Sequence, residues 1–412
     1  MKHTPELLAP AGTMEKLKFA LAYGADAVYI GIQGLSLRAG AGNFAPEEVA
    51  AASDMAHNAG ARIYAAINIF ARDEDIEKVR QALPQLKTAG LDALIIADPG
   101  VLSLVQEKWP QARIHISTQA NILNSAAAAY WHSQGAARVT LARELSLSQI
   151  RSIGVGTTGE VEVFVHGAMC MGYSGRCYLS KYMTGRDSNL GDCAHACRWK
   201  YHLMEEQRPG MYYPVETDGN HYFFNSSDLC LARRLPELMS AGIRSFKIEG
   251  RMKSLHYLAT VTGVYRRLID DIGRQGSAYE PPESLIAELY KVSHRGYTEG
   301  FIDGEWLPDS HSTASSGYRR DYDFVGIVNE PAEVTKRAVV GVRNKISVGD
   351  EIEVVRPGMA TMALRLEKMW SGGAPVGDAH ANAIVELELP AEVGKLSIIR
   401  RPSASRVTEA VG

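Results

Sequence analysis

Short runs of β-branched and aliphatic residues recur along the chain, and the longer stretches between them carry apolar residues at helical spacing. The runs are ELLAP (6–10), AVYIG (27–31), IYAAIN (63–68), ALIIAD (93–98), IHIST (114–118), RVTLARE (138–144), VEVFVHG (161–167) and SFKIEG (245–250). Each predicts a strand. MEKLKFALAYGA, PEEVAAASDMAHNAG and DIEKVRQALPQLKTAG predict helices between strands, each closing on a Gly suited to a left-handed C-cap. Strands alternating with helices make βαβ units and a parallel sheet. Eight of them in about 250 residues predict an α/β fold of the (β/α)8 TIM-like type, with the doubly wound sheet as the competing architecture.

After the eighth run, SLHYLATVTGVYRRLIDDI and PESLIAELYKVSH predict two trailing helices, and the Ser-rich stretch DSHSTASSGYRR (309–320) reads as a linker. Beyond it, DFVGIVNE, RAVVGVRN, DEIEVVRP, ALRLEKMW and NAIVELELP predict short strands divided by Gly, Pro and Asn turns, hence a small all-β barrel. The expected organisation is a TIM-like barrel with a cysteine-rich insertion over 1–308, a linker over 309–320 and a C-terminal β-barrel domain over 321–412. GVGTTG (154–159) satisfies G-x-G-x-x-G literally, but a helical pattern precedes it and a strand pattern follows. A dinucleotide fingerprint needs the reverse order, so this segment reads as a helix-to-strand loop.

Composition narrows the reading without choosing a function. With 46% hydrophobic and 22% charged residues and a net charge of -3, no overall field advertises a polyanionic partner, which leaves only a local basic patch for that purpose. The N-terminus has no apolar signal core, and no stretch approaches the roughly 18 apolar residues of a membrane span. A cytoplasmic, reducing location is therefore expected, where clustered cysteines serve metal or redox chemistry rather than disulfides.

Four of the five cysteines crowd into HGAMCMGYSGRCYLSKYMTGRDSNLGDCAHACRWK (166–200), as Cys170, Cys177, Cys193 and Cys197 in the pattern C-x6-C-x15-C-x3-C. They begin where the seventh strand ends, the catalytic face of a barrel. Four thiolates suit zinc or an iron–sulfur cluster. The open spacings favour the cluster over the two tight knuckles of structural zinc. Cys230, in NSSDLC, reads as a buried small apolar residue. His166 and His195 are the nearest bases for a nucleophilic cysteine, while no G-x-S-x-G elbow or H-E-x-x-H helix occurs in the sequence.

Polar residues also gather at the ends of the other predicted strands, where an apolar barrel floor does not require them. His166, Lys247, Glu249 and Arg251 are the catalytic candidates. Asn68, Ser117, Gln119, Asn121, Arg143 and Glu144 are candidates for binding a small anionic substrate, whose carboxylates would meet Arg143, Lys247 and Arg251. Asp98 belongs to the same set of strand ends. For each of these the competing reading is an ion pair between loops.

EVFVHGAMCMGYSGRCYLS (162–180) resembles the signature of the peptidase U32 family. ELLAPAG, YGADAVYIG, LSLRAGAGNF, STQAN, GDCAHACRW, FKIEGRMKS and HRGYTEGF are similar to its other recurring blocks, and the terminal β-domain to its C-terminal module. The family name implies proteolysis, and some members are described as collagenases. Other members are oxygen-independent hydroxylation factors with a 4Fe–4S cluster, acting in ubiquinone synthesis, on a 23S rRNA cytidine, or on the tRNA wobble uridine to form 5-hydroxyuridine with prephenate implicated as hydroxyl source. CAHACRWK and the single β-domain look most similar to the tRNA branch. The resemblance implies Cys170, Cys177, Cys193 and Cys197 as cluster ligands, with Cys230 as an alternative fourth ligand in place of Cys197. It also implies tRNA and prephenate as partners, an electron donor protein as a further one, and no membrane. Arg198, Lys200, Arg251, Lys253, Arg319 and Arg320 are the matching candidates for phosphate contacts. A collagenase-like peptidase, a 23S rRNA cytidine hydroxylase and a non-enzymatic iron–sulfur accessory protein are the alternatives.

Overall fold

A computed structural model of the chain describes residues 4–36, 42–169, 177–188, 192–199, 202–204, 209–210, 212–214, 227–304, 319–332 and 337–403. All eight predicted barrel strands form. They are β1 (Glu6–Ala11), β2 (Ala27–Gly31), β3 (Arg62–Ile67), β4 (Ala93–Ile96), β5 (Ile114–Ile116), β6 (Ala136–Thr140), β7 (Glu160–Ala168) and an eighth, Ser245–Ile248. Neighbours pair in parallel, and the ring closes because Phe246 is in register with Leu7 of β1 on one side and with Val163 of β7 on the other.

The three helices quoted above run over Met14–Ala22, Val49–Asn58 and Asp73–Thr88. The chain turns out of them through Gly24, Gly60 and Gly90 at φ of 95°, 73° and 76°, a region that costs a side chain but not a glycine. GVGTTG divides as predicted between structure types: the helix Leu147–Gly156 ends inside it and β7 starts at Glu160.

Period-two alternation sorts the strand residues between two layers. Leu7, Val28, Ile30, Ile63 and Ala65 face the helices in the large outer core, while Leu8, Ala27, Tyr29, Tyr64, Ala66 and Ile95 form a small inner cluster. The barrel floor is not apolar, which corrects the sequence expectation. Glu6, Arg138 and Glu162 lie inside it, and Arg138 reaches Glu6 at 2.6 Å, Glu160 at 2.7 Å and Glu162 at 3.3 Å.

Two short strands widen the sheet beyond the ring. Asp228–Cys230 runs antiparallel to the end of β7, with Cys230 opposite His166, and Tyr297–Thr298 pairs with it in turn. The long helix Leu255–Gln275 and the shorter Glu283–Tyr290 follow as predicted. Of the 309–320 segment only Arg319 and Arg320 are among the described residues, and Arg319 exchanges backbone hydrogen bonds with His294.

The C-terminal domain is an antiparallel half-barrel with its own core, including Val325, Val340, Ile352, Val354, Val385 and Ile399. The sequence reading missed its strand Ile398–Pro402, which pairs with both Tyr322–Glu330 and Glu351–Val355 and so lies within the sheet. The domain docks against the barrel. The Tyr23 hydroxyl donates to the Val355 carbonyl at 2.9 Å, and fully buried Arg400 bridges Glu288 of the barrel and Glu353 of its own domain, each at 2.6 Å. Among the described residues no helix is long and apolar enough to cross a membrane.

Candidate active site

The mouth of the barrel is built upward from the charged floor. Glu162, inward on β7, accepts from Lys247 Nζ at 2.9 Å, Thr140 Oγ1 at 2.9 Å and Ser245 Oγ at 2.8 Å. Burial pushes the Glu162 carboxyl upward, but Lys247 and Arg138 beside it outweigh that and bring it down to about 2. Glu162 therefore stays ionised, and it anchors the Lys247 ammonium beneath the mouth, 4.7 Å from the Tyr29 ring centroid and 5.5 Å from that of Phe164.

Above Lys247 opens a cleft of about 110 Å³ whose walls come from most of the strand ends. Asn68, Ser117, Gln119, Arg143, Lys247, Glu249 and Arg251 line it, so seven of the polar candidates are brought together. Asn68 Nδ2 donates to Ser117 Oγ at 3.3 Å and to Gln119 Oε1 at 3.1 Å, and the Arg143 guanidinium lies 3.9 Å from the Phe164 ring centroid. The Tyr29 hydroxyl donates to the Ile248 carbonyl at 3.0 Å and lies 3.3 Å from Glu249 Oε2. Arg251 Nη1 donates to Ser36 Oγ at 2.7 Å and to Asn43 Oδ1 at 3.2 Å.

Two glycines make this crowding possible. A Cβ on Gly31 would stand 2.0 Å from Arg251 Nη1, and one on Gly167 would stand 2.4 Å from the Glu249 carbonyl, at a φ of 115°. Side chains at either position would displace a cleft residue.

Cys177, Cys193 and Cys197 line the same cleft. Between Cys193 and Cys197, His195, at φ 56°, turns so that its backbone N–H donates to Cys193 Sγ at 3.4 Å. Among the described residues no group of three or more His, Cys, Asp or Glu side chains is gathered closely enough to hold a metal ion. Cys170 lies outside the described residues, directly after Met169, which does line the cleft. Three soft sulfur donors around one opening fit the chemistry of a thiophilic cluster.

Other candidates are not brought to this cleft. His166 points away from it, because β7 bulges where Val165 and His166 together oppose Ile248. Its ring is buried among Tyr257, Tyr265 and Tyr297, with Nδ1 3.3 Å from the Tyr265 hydroxyl and Nε2 without a partner among the described residues. Burial, with Lys253 and His294 nearby, pushes its pKa down to about 3, so it is a neutral wall residue and not a base at the mouth. Cys230, its partner in register, is likewise away from the cleft, 3.9 Å from the Tyr265 hydroxyl, and burial raises its thiol to about 11. Asn121 and Glu144 also lie outside the lining: Asn121 takes a left-handed turn at φ 51° that ends a short helix. Asp98 caps the helix Pro99–Lys108, accepting from the Gly100 and Val101 amides.

Of the candidate phosphate contacts, Arg251 is buried in the cleft wall and Lys253 pairs with buried Asp228 at 3.2 Å. Arg319 and Arg320 are exposed, while Lys200 and the side chain of Arg198 lie outside the described residues. The sequence reading missed Tyr29, Thr118 and Phe164 of the cleft and Glu162 beneath it. The charged residue in mid-strand, VEVFV, was the available signal for Glu162.

Comparison with known proteins agrees with this architecture. The tRNA hydroxylation protein P1 of Bacillus subtilis is 37% identical over 399 residues, covering 96% of this chain and 94% of its own. The tRNA hydroxylation protein P of Escherichia coli is 37% identical over 396 residues, covering 86% of each chain. The 23S rRNA 5-hydroxycytidine C2501 synthase of Escherichia coli is 34% identical over 362 residues, covering 86% of this chain and 53% of its own. The profile of Peptidase family U32 matches residues 12–311, the barrel from the end of β1 onward, and that of the Peptidase family U32 C-terminal domain matches residues 320–400. The chain therefore belongs to peptidase family U32.

Proposed function

We propose that this protein is an RNA-modifying enzyme that hydroxylates the wobble uridine of tRNA at C5 without molecular oxygen. In this reading Cys170, Cys177, Cys193 and Cys197 hold a 4Fe–4S cluster and prephenate supplies the hydroxyl. The observation that carries it is the joining, in one cleft, of Cys177, Cys193 and Cys197 with Arg143, Lys247 and Arg251. Soft donors for a redox group thus border cations suited to a dicarboxylate. The near full-length match to relatives named tRNA hydroxylation proteins supports tRNA as the substrate class.

The chain's own residues divide the work by chemistry. Arg143 and Arg251 bind carboxylates, and Lys247, anchored through Glu162, adds a fixed positive charge at the cleft floor. Asn68, Ser117 and Gln119 offer amide and hydroxyl groups that read the polar edge of a pyrimidine. Glu249, beside the Tyr29 hydroxyl, accepts the proton released at the carbon that is hydroxylated. Phe164, Ala66 and Ile95 supply apolar wall that limits water.

Replacing C–H by C–OH with a donor that releases hydroxide frees one proton and two electrons. A protein partner is accordingly an electron acceptor rather than a donor, and a bound cluster supplies one-electron transfer. The test is anaerobic reconstitution with tRNA, prephenate and a two-electron acceptor, read by nucleoside mass analysis and by iron and acid-labile sulfide content. Hydroxyuridine formed together with iron and sulfide is expected. Zinc without sulfide, or undiminished hydroxyuridine in an anaerobically grown strain lacking this protein and any paralogue, would overturn the proposal. Hydroxycytidine in 23S rRNA would redirect it to that target, and casein cleavage by cluster-free protein, abolished by one substitution, would restore the peptidase reading.

A further inference from the structure

Large apolar side chains that stand exposed are unevenly spread over the described residues. Of ten, four fall between positions 178 and 199: Tyr178, Tyr182, Met183 and Trp199; a fifth, Met252, follows Arg251 of the cleft. The same stretch carries the cleft cysteines, with Tyr178 next to Cys177 and Trp199 two residues past Cys197. Cysteines line the opening while the aromatics between and beside them face solvent.

Local structure explains the outward display. In the helix Leu179–Thr184 buried Ser180 holds the packed face: its hydroxyl donates to the Arg186 carbonyl at 2.8 Å and accepts from the Ala194 amide at 2.9 Å, tying the helix to the strip that carries Cys193 and Cys197. Tyr182 N–H donates to the Tyr178 carbonyl at 3.0 Å, so the two tyrosines stand one turn apart on the face opposite Ser180. They are 64% and 77% exposed, and Trp199 is 42% exposed. Among the described charges nearby, Lys181 pairs with Asp187 and Arg186 with Asp192.

We propose that Tyr178, Tyr182 and Trp199 form a stacking rim for the unpaired bases that flank the target nucleotide of an RNA loop. This rests on the RNA reading above. A base that enters the cleft stays covalently tied to its neighbours, which must therefore cross the surface beside the opening. Unpaired bases offer π faces to Tyr and Trp whatever their identity, whereas a duplex keeps those faces stacked internally. The rim thus selects single-stranded loops, and the polar cleft selects the base.

Binding of the full-length, cluster-loaded protein to a tRNA anticodon stem-loop is compared with binding to the same stem closed as a continuous duplex. The double variant Tyr178→Ala/Tyr182→Ala and the single variant Trp199→Ala are each expected to weaken loop binding about tenfold or more. They should also abolish quenching of 2-aminopurine placed beside the target position. Tyr178→Phe/Tyr182→Phe keeps the ring faces and is expected to bind as wild type, with the salt dependence of binding unchanged in all variants. If wild type prefers the loop and the alanine variants bind it equally well, the rim is wrong and the RNA reading stands. If wild type does not distinguish loop from duplex, the RNA reading falls with it. Loss of a homodimer in sedimentation, with RNA affinity unchanged, would assign the rim to a second copy of the chain and overturn the proposal.

Discussion

The floor and the mouth of the barrel are both rich in charge, yet they use it differently. At the floor, Glu6, Arg138, Glu160 and Glu162 close on one another, with Lys247 capping the set, and Arg138 is only 2% exposed. At the mouth, Arg143 lies over the Phe164 ring and Arg251 donates to Ser36, beside cysteines that line a cleft. Buried charges that satisfy one another specify a fold, whereas charges arranged around an opening are disposed toward a ligand. Lys247 belongs to both layers and ties the position of the ligand-facing group to the integrity of the floor.

The largest contrast is expected from the cysteines. Cys177→Ala, Cys193→Ala and Cys197→Ala should each lose bound iron and sulfide and reduce hydroxylation to background, while Cys230→Ala, placed away from the cleft, should retain both. Metal analysis and nucleoside mass spectrometry of the four variants check this. Cluster loss on Cys230→Ala would erase the distinction between mouth and wall.

Next in size is the floor. Removing Glu162 as Glu162→Ala leaves Lys247 and Arg138 buried without their shared carboxylate, and should destabilise the fold by about 3–5 kcal/mol in urea unfolding. Glu249→Gln at the mouth should instead lower the hydroxylation rate by about 10²-fold or more while changing stability by less than about 1 kcal/mol. Equal effects of the two variants on stability would show that the layers are not separable.

Acid sensitivity sharpens the same division, because His166 and His256, the latter on the helix Leu255–Gln275 and stacked on Phe324, are buried neutral residues held down to about 3 by burial, with cationic neighbours adding to it. Between that value and the ordinary imidazole value of 6.5 the unfolded chain binds protons that the folded chain does not. Stability therefore rises with pH across this window, by up to about 1.4 kcal/mol per pH unit for each histidine. His166→Phe should remove one histidine's share of that slope between pH 4.5 and 6, measured by urea unfolding, without moving the pH profile of hydroxylation. The smallest effect is expected at the surface: Glu15→Gln breaks the exposed pair with Arg343 between the domains and should cost less than about 1 kcal/mol.

The barrel was legible because its strands are short, β-branched and divided by helices that end on glycine, signals that are local in sequence. The strand Ile398–Pro402 was not, since SIIRRP reads as a charged, proline-ended segment. Its arginines are absorbed by tertiary partners, Arg400 by Glu288 and Glu353 and Arg401 by Asp350. The polar floor was missed for the same reason, because a carboxylate in mid-strand looks misplaced until its cationic partner on another strand is known.

Spacing alone marked the four clustered cysteines and set Cys230 apart, and strand-end position alone marked Asn68, Ser117, Gln119, Arg143, Lys247, Glu249 and Arg251. What strand position could not supply was side-chain direction. His166 occupies the same kind of position as its neighbours on β7, but the extra residue in the bulge at Val165–His166 turns its ring out of the barrel and into a cluster of tyrosines. In a strand of period two, a slip of one residue exchanges the faces of everything beyond it, and that slip is settled by pairing with another strand and not by the run of residues itself.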